Sequence, residues 1–281
     1  MEPIKEQVWY ITGATGGLGL ALAEKVLSAG HKVAGTTRDL QKFEKTGLAT
    51  KYGDKFLAVQ TDLIDEEILK ASFVKVVQVF GRIDIVVNNS GYAQPGAIEE
   101  ISTKEYKENF DINFFAPLSV MRYAIPYLKE KSGHIYNIAS IAGFTHFEGC
   151  SAYSSSKYAL IGASESLAYE LKPYNVKVTA VCPGTFETPI LAGFPKPAHV
   201  IPEYDSANFI HVWLARRKGL PLGDPEKYAE ILLHYANRDD APVKLFVGPD
   251  AVDIAQQEID KTQAELNSYK EFVSNTAIAP K

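Results

Sequence analysis

Tyr153 and Lys157 stand four residues apart in the segment Ser-Ala-Tyr-Ser-Ser-Ser-Lys, which is predicted to form the first turns of a helix. This spacing places both side chains on one helical face, so the ammonium group can lie beside the phenol. A free tyrosine, with a pKa of about 10, exchanges protons poorly at neutral pH, and a nearby positive charge lowers that pKa. The pair is therefore a candidate for acid–base catalysis, although most isolated pairs with this spacing lie on the surface of a helix.

A glycine-rich turn follows a short apolar strand near the N-terminus. The predicted strand Val8–Ile11 leads into Thr-Gly-Ala-Thr-Gly-Gly-Leu-Gly, and helical periodicity continues to Ala29. In such a strand–turn–helix unit, Gly13 permits the tight turn, Gly17 lets the backbone approach a pyrophosphate, and Gly19 allows close packing of helix on strand. A glycine-rich loop alone would carry little information, but this context favours dinucleotide binding.

Further motifs occur in order along the chain. They are Thr12-Gly13-x-x-x-Gly17-x-Gly19, Asn88-Asn89-Ser90-Gly91, Asp111-Ile112-Asn113, Ser140 with Tyr153 and Lys157, and Pro183-Gly184-x-x-x-Thr188. Together these motifs resemble those of the short-chain dehydrogenase/reductase family, and the resemblance covers most of the chain. Gly13, Gly16 and Gly19 also fit the pattern of the family's longer, sugar-nucleotide-modifying branch. The spacing of Ser140 and Tyr153 and the length of 281 residues favour the shorter oxidoreductase branch.

The resemblance implies a role for each matched residue. Tyr153 would protonate the alkoxide formed when a nicotinamide reduces a carbonyl group, and Ser140 would hydrogen-bond the same oxygen. Lys157 would contact the nicotinamide ribose and keep the pKa of Tyr153 low, and Asn113 would anchor a water molecule for a proton relay. Without the resemblance, Ser140 could be an ordinary hydroxyl group at the end of a strand, and Asn113 could be a polar residue inside a helix. The implied cofactor-binding residues are Gly13, Thr15, Gly17, Leu18, Gly19, Asp62, Leu63, Asn89, Gly91, Tyr153, Lys157, Pro183, Gly184 and Thr188.

The end of the second predicted strand indicates which nicotinamide cofactor is preferred. Enzymes that use NAD usually offer a carboxylate here to the ribose 2′-hydroxyl. Thr37 occupies that place and Arg38 follows it, while Asp39 is expected to cap the next helix. Because a guanidinium pairs with a 2′-phosphate that a carboxylate would repel, Arg38 predicts NADP (NADPH), with NAD still possible.

Strand-like and helical segments alternate along the chain, which predicts an α/β fold. We expect a single-domain, Rossmann-type, doubly wound parallel sheet of about seven strands with helices on both faces. The carboxyl ends of such strands line one crevice, and every motif above falls there. The predicted strands are Val8–Ile11, Lys32–Thr36, Phe56–Gln60, Ile83–Val87, His134–Ile138, Lys177–Val181 and Lys244–Val247, and the predicted helices are Gly17–Ala29, Asp65–Phe80, Thr103–Lys129, Tyr153–Leu171, Pro225–Ala236 and Asp250–Phe272.

The irregular segment Thr185–Gly223 interrupts this alternation. It could be a packed loop, but long loops are usually functional, and it is predicted to be a lid that closes over an apolar substrate. Residues 1–281 otherwise form one predicted dinucleotide-binding oxidoreductase domain. The aromatic residues of the lid are Phe186, Phe194, Phe209 and Trp213.

Composition limits the classes of function. The net charge of −5 gives no electrostatic footprint for nucleic acid or for an anionic membrane. Two cysteines and six scattered histidines suggest neither a disulfide framework nor a metal site, and His31, His134 and His234 are predicted in turns or at the surface. The N-terminal residues lack the apolar core of a signal peptide, so a cytoplasmic location is expected.

Taken together, the sequence predicts an NAD(P)-dependent oxidoreductase, most simply an NADPH-dependent ketone or aldehyde reductase that acts on a small, apolar substrate. The alternatives are an NAD-dependent alcohol or steroid dehydrogenase and a non-catalytic NADP-binding sensor, since fold does not guarantee function. The resemblance also implies a homotetramer or homodimer, with the helices that carry Asn113 and Tyr153 forming one interface. Residues Leu160, Ile161, Ala163 and Leu167 could serve that interface or the core.

Overall fold

The computed structural model describes residues 6–192, 194–204, 214 and 219–278. A parallel sheet of seven strands, in the order β3-β2-β1-β4-β5-β6-β7, runs through the middle of the described part. The expected Rossmann-type doubly wound sheet is therefore confirmed. The strands are β1 (Val8–Thr12), β2 (Lys32–Thr37), β3 (Phe56–Gln60), β4 (Ile85–Asn88), β5 (Gly133–Ile138), β6 (Val176–Pro183) and β7 (Lys244–Val247).

Helices cover both faces of the sheet. The longer ones are α1 (Gly17–Ser28), α4 (Glu66–Phe80), α6 (Ala116–Lys131), α7 (Ser151–Leu171), α8 (Pro225–Tyr235) and α9 (Pro249–Val273), and the shorter ones are α2 (Gln41–Glu44), α3 (Leu48–Tyr52) and α5 (Thr103–Phe110).

Two apolar layers result from the alternation of side chains along each strand. In β1, Val8 and Tyr10 join the layer that packs against α4, α6 and α7, whereas Trp9 and Ile11 join the layer beneath α1 and α8. The inner strands β1 and β4 are thus buried on both faces, which explains why they read as continuous apolar runs, whereas the edge strands β3 and β7 are only partly buried.

The predicted helix Thr103–Lys129 is wrong in one respect, because it is interrupted. Residues Asp111–Phe115 form a turn of π-helix between α5 and α6. Pro117 has no N–H to donate to the carbonyl group of Asn113 four residues earlier, so one α-helical hydrogen bond is missing at this point. The π-turn leaves Asn113 buried between the two helices.

Two histidines predicted near the surface are buried instead. His134 lies in β5, where its ring stacks on Tyr136 at 4.0 Å and its Nε2 atom lies 2.9 Å from Oγ1 of Thr179. Burial lowers the pKa of His134 to about 3, so it packs as a neutral ring. His31 is also buried, and its Nδ1 atom accepts the backbone N–H of Gln7 at 3.2 Å.

The segment Thr185–Gly223 is held to the body at several points among its described residues. Phe186 is buried against Tyr228 with ring centroids 5.5 Å apart. Farther along, Glu100 is buried and accepts the N–H of Ile201 at 2.9 Å. Phe209 and Trp213, which the sequence assigns to the lid, lie outside the described residues.

Leu160 and Ile161 of α7, which the sequence left open between core and interface, are buried in the core of the chain. No helix within the described ranges is both long and apolar enough to cross a membrane.

Candidate active site

The glycine-rich turn forms a cradle between β1 and α1. Gly13 and Gly17 adopt φ angles of +65° and +53°, which glycine reaches without strain. A Cβ atom at Gly19 would collide with the side chain of Asn89, whereas one at Gly16 would meet nothing within 4 Å. Backbone geometry therefore requires glycine at positions 13, 17 and 19, the pattern of the shorter branch.

The amino end of α1 points into this cradle. Gly16 caps the helix without a side-chain hydrogen bond, and the first turn contains no acidic residue. The first N–H groups of a helix have no partner within it and carry partial positive charge. A pyrophosphate fits this place, because it would accept those N–H groups without meeting a carboxylate from that turn.

Thr12 and Asn89 join the carboxyl ends of β1 and β4. The Oγ1 atom of Thr12 accepts the N–H groups of Asn89 and Ser90 at 2.9 and 3.0 Å. In return, the side-chain amide of Asn89 donates to the carbonyl groups of Thr12 and Gly13 at 3.0 and 3.1 Å. These bonds fix the glycine turn against the Asn-Asn-Ser-Gly loop.

Ser140, Tyr153 and Lys157 come together at the carboxyl end of β5. The exposed fractions of Tyr153 and Lys157 are 9% and 4%, and the Nζ atom of Lys157 lies 5.7 Å from the centroid of the Tyr153 ring. Nζ donates to the carbonyl group of Ile138 at 2.8 Å. The predicted neighbourhood of phenol and ammonium group is thus present.

A short turn, residues Ile141–Gly143, connects Ser140 to the start of α7. The Oγ atom of Ser140 accepts the N–H of Ala142 at 3.1 Å and so caps this turn. A Cβ atom at Gly143 would lie 2.7 Å from the backbone of Lys157, so the turn sits directly on α7. Because its oxygen is already an acceptor, the hydroxyl group of Ser140 has its proton left to donate.

Burial dominates the pKa values of the pair. Burial raises the pKa of Tyr153, and the hydrogen bond with Ser140 opposes that rise only in part. The sequence predicts the opposite direction, on the ground that Lys157 is charged. Burial lowers the pKa of Lys157 itself to about 8, so its charge is easily lost.

Asn113 lies behind the pocket and does not line it. Its side chain accepts the N–H of Tyr92 at 3.0 Å and donates to the carbonyl group of Tyr92 at 3.0 Å. It also contacts Ser156 of α7 at 3.1 Å. A Cβ atom at Gly91 would lie 2.8 Å from Asn113 and 3.3 Å from Nζ of Lys157, so Gly91 lets both side chains reach the same loop.

The Pro183-Gly184 loop depends on Asp250, a residue that the sequence did not single out. Asp250 is buried, and its carboxylate accepts the N–H groups of Thr185 and Ala251 at 2.7 and 3.0 Å. Any side chain at Gly184 would collide with this carboxylate. Helix α9 therefore holds the loop that carries Thr188 toward Gly17, where Thr188 Cβ would lie 3.7 Å from a Cβ atom.

The opposite end of the pocket carries two exposed cations. Thr37, Arg38 and Lys42 line it, together with Asp62. The carboxylate of Asp39 accepts the N–H of Gln41, the first residue of α2, at 3.0 Å. Asp39 is not among the residues that line the pocket. The prediction that Asp39 caps this helix is wrong, because the residue at the cap position of α2 is Leu40 and Asp39, which accepts the bond, lies one residue earlier. Lys42 adds a charge that the sequence reasoning missed.

The glycine cradle, the group of Ser140, Tyr153 and Lys157, the Pro183-Gly184 loop and the two cations border one pocket of about 870 Å³. Two predicted site residues, Gly19 and Asn113, support it from behind. Within the described parts of the chain, no group of three or more His, Cys, Asp or Glu side chains is placed to hold a metal ion. The predicted residues that line the pocket are Gly13, Thr15, Gly17, Leu18, Arg38, Asp62, Leu63, Asn89, Gly91, Ser140, Tyr153, Lys157, Pro183, Gly184 and Thr188, and lining residues not predicted include Lys42, Tyr92, Glu108 and Asp111.

Known proteins resemble this chain over nearly its full length. The sequence model of the short chain dehydrogenase family matches residues 7–197. Oxidoreductase BOA17 of Botryotinia fuckeliana is 32% identical over 95% of this chain and 97% of its own. A short-chain dehydrogenase structure from Streptomyces avermitilis is 33% identical, covers 99% of this chain and 100% of its own, and superposes with a TM-score of 0.87. The 3-ketoacyl-(acyl-carrier-protein) reductase of Brucella melitensis, solved in complex with NADH, is 26% identical over 87% of this chain and 98% of its own, with a TM-score of 0.76.

Proposed function

The chain belongs to the short-chain dehydrogenase/reductase family and is an NAD(P)-dependent oxidoreductase, and from that premise we propose that it reduces the carbonyl group of a ketone or aldehyde with NADPH. The observation that carries the proposal is the convergence of Ser140, Tyr153 and Lys157 on the pocket that also contains the glycine cradle. A protein that only bound the dinucleotide would have no use for a buried phenol beside a buried amine.

The substrate oxygen would lie between Ser140 and Tyr153. The bound dinucleotide would supply the hydride that the carbonyl carbon accepts. Tyr153 would pass its phenolic proton to the oxygen as negative charge develops, and the hydroxyl group of Ser140 would donate a hydrogen bond to the same oxygen. The raised pKa of Tyr153 suits this direction, because the phenol must start out protonated.

Lys157 would return a proton to the site after each turnover. With its pKa lowered to about 8, the ammonium group releases a proton near neutral pH more readily than an exposed lysine does. Asn113 would act as a positioning residue, since its side chain joins α7 to the loop at Tyr92. Asn113 would keep these side-chain hydrogen bonds while it anchors the water molecule of the proposed proton relay.

The preference for NADPH rests on charge at the ribose end of the pocket. Arg38 and Lys42 would pair with a 2′-phosphate. The Brucella reductase, solved with NADH, shows that NAD is accepted elsewhere on this fold. We propose NADPH as the preferred cofactor and NADH as the weaker one.

Several features of the proposal rest on the sequence. The single domain over residues 1–281, the lid function of Thr185–Gly223, the homo-oligomeric state, the cytoplasmic location and the apolar substrate stay predictions. The cofactor-binding roles of the lining residues are proposed with the activity itself.

A panel of ketones and aldehydes, assayed with NADPH and with NADH, tests the proposed function. We expect carbonyl-dependent oxidation of NADPH, with a lower KM than for NADH. Turnover of alcohols with NAD alone would favour an alcohol or steroid dehydrogenase. Tight binding of NADPH without turnover of any carbonyl or alcohol would favour a sensor.

A further inference from the structure

The last helix, α9, extends well beyond the body of the chain. Its first turns are anchored, since Ala251 and Ala255 are buried and Glu258 accepts the hydroxyl group of Thr145 at 2.7 Å. From Ile259 to Val273 every residue is exposed, and these fifteen residues project by roughly 22 Å at 1.5 Å per residue. A free helix of this length is marginally stable in water, so this part of α9, which we call the distal half, gains from a partner.

The distal half carries an apolar stripe with the spacing of a coiled coil. Ile259, Leu266 and Val273 recur every seven residues, and Thr262 and Tyr269 lie between them at steps of three and four. The exposed fractions of Ile259, Leu266, Tyr269 and Val273 are 47%, 44%, 49% and 47%. Phe272, 89% exposed, precedes Val273 and lies at the edge of the stripe. A helix that contacted only water would have no reason to align its other large apolar residues in this way.

We propose that the distal half of α9 is a self-association surface, which pairs in parallel with the same segment of a second copy of the chain. Charged residues beside the stripe select this occupant and this direction. Glu265 borders one edge of the stripe and Lys270 the other. In a parallel pair, Glu265 of each copy faces Lys270 of the other, and the twofold axis makes this contact twice.

An antiparallel pair would instead place the Glu258 and Glu265 edges of both copies against each other, where like charges repel. In the single chain Glu265 lies 3.9 Å from Lys261, and Lys270 donates to Asn267 at 3.1 Å, so both side chains already lie along the helix near these edges. Helix α9 also carries six acidic and two basic residues, a balance that opposes docking on an anionic lipid surface.

The surface is separate from the helices α5, α6 and α7 that the family resemblance implicates in assembly. Two independent twofold contacts on one chain are sufficient for a tetramer with dihedral symmetry. A contact through α9 would therefore add a second interface.

Disulfide trapping tests the pairing at a chosen residue. A parallel pair places Leu266 beside Leu266 of the second copy, so the variant Leu266→Cys should form a covalent dimer under mild oxidation. Ala264→Cys is the matched control, because residue 264 lies on the opposite side of the helix and is also exposed. The native Cys150 and Cys182 are buried and do not compete. We expect about tenfold more covalent dimer for Leu266→Cys, since pairing raises the effective concentration of the two thiols.

Equal yields from the two variants would mean random collision, and absence of dimer from Leu266→Cys would mean that another occupant covers the stripe; both results overturn the proposal. Adding Lys270→Glu to Leu266→Cys should lower the yield, and adding Glu265→Lys as well should restore it. A yield that ignores these charges contradicts the parallel register. Since the assay does not measure catalysis, its outcome is independent of the proposed function.

Discussion

The variant Lys157→Met should show how much the buried amine of Lys157 lowers the free energy of unfolding. Lys157 is buried, and burial lowers its pKa from 10.5 to about 8. A shift of one pKa unit corresponds to about 1.36 kcal/mol, so holding the charged form in the folded chain costs about 3 kcal/mol at pH 7. Methionine has similar length and no charge, and the variant should escape this cost.

The sign of the effect follows from the two pKa values. Between about pH 8 and pH 10.5 the unfolded chain keeps the proton of Lys157 and the folded chain does not. The free energy of unfolding of the wild type therefore rises with pH across this window, and below it the cost is full and constant. Between pH 7 and pH 10 the free energy of unfolding of the wild type should rise by about 2 to 3 kcal/mol more than that of Lys157→Met. The lost bond to Ile138 and altered packing add a constant that cancels in this comparison.

Urea unfolding of both proteins at pH 7, 8, 9 and 10 measures this gain, provided that the slopes with urea agree. Lys172→Met is the matched control, because Lys172 caps the carboxyl end of the same helix and its side chain is exposed. The control should run parallel to the wild type. Parallel curves for Lys157→Met as well would refute the reasoning, since Lys157 would then hold its proton equally in both states.

Three further changes test other parts of the site. Arg38→Asp should raise the KM for NADPH about 10- to 100-fold, which corresponds to the loss of one charge-assisted hydrogen bond, and should leave the KM for NADH unchanged. Equal loss with both cofactors, or a similar effect of the control Lys45→Asp, would mean that Arg38 does not recognise the phosphate. Asp250→Ala should lower the free energy of unfolding by about 1–3 kcal/mol, because two buried N–H groups lose their acceptor, and it should raise the KM for NADPH. The control Asp253→Ala, at an exposed position of the same helix, should change neither quantity. An unchanged KM for Asp250→Ala would show that the Pro183-Gly184 loop keeps its position without Asp250. Hydrogen exchange should show more protection in Thr185–Gly223 when NADPH binds, and equal protection in both states would mean a rigid loop and no lid.

Most of the sheet was predictable because its inner strands are buried on both faces and contain apolar runs. The prediction Val8–Ile11 differs from β1 by one residue. The interruption of the helix before α6 was missed, although Pro117, which removes one hydrogen bond there, is visible in the sequence. His134 was misplaced because a buried neutral histidine leaves no sign in a local pattern; its partner Thr179 is distant in the chain.

The candidate site, like the fold, was predictable only in part. The proximity of Tyr153 and Lys157 was predictable because one helical turn fixes their separation. Asp250 was missed because it meets Thr185 across 65 residues, and only the fold makes that contact. The pKa of Tyr153 was predicted in the wrong direction, since the spacing shows the neighbouring charge but not the burial that outweighs it.

The proton-donor role of Tyr153 is the central claim, and Tyr153→Phe tests it most directly. Phenylalanine keeps the ring in its place and removes only the hydroxyl group. With the best carbonyl substrate of the panel, kcat should fall by about 10²- to 10⁴-fold, the usual contribution of general acid catalysis. A fluorescence titration should show NADPH affinity nearly unchanged. Turnover near that of the wild type, with NADPH bound as tightly, would contradict the account.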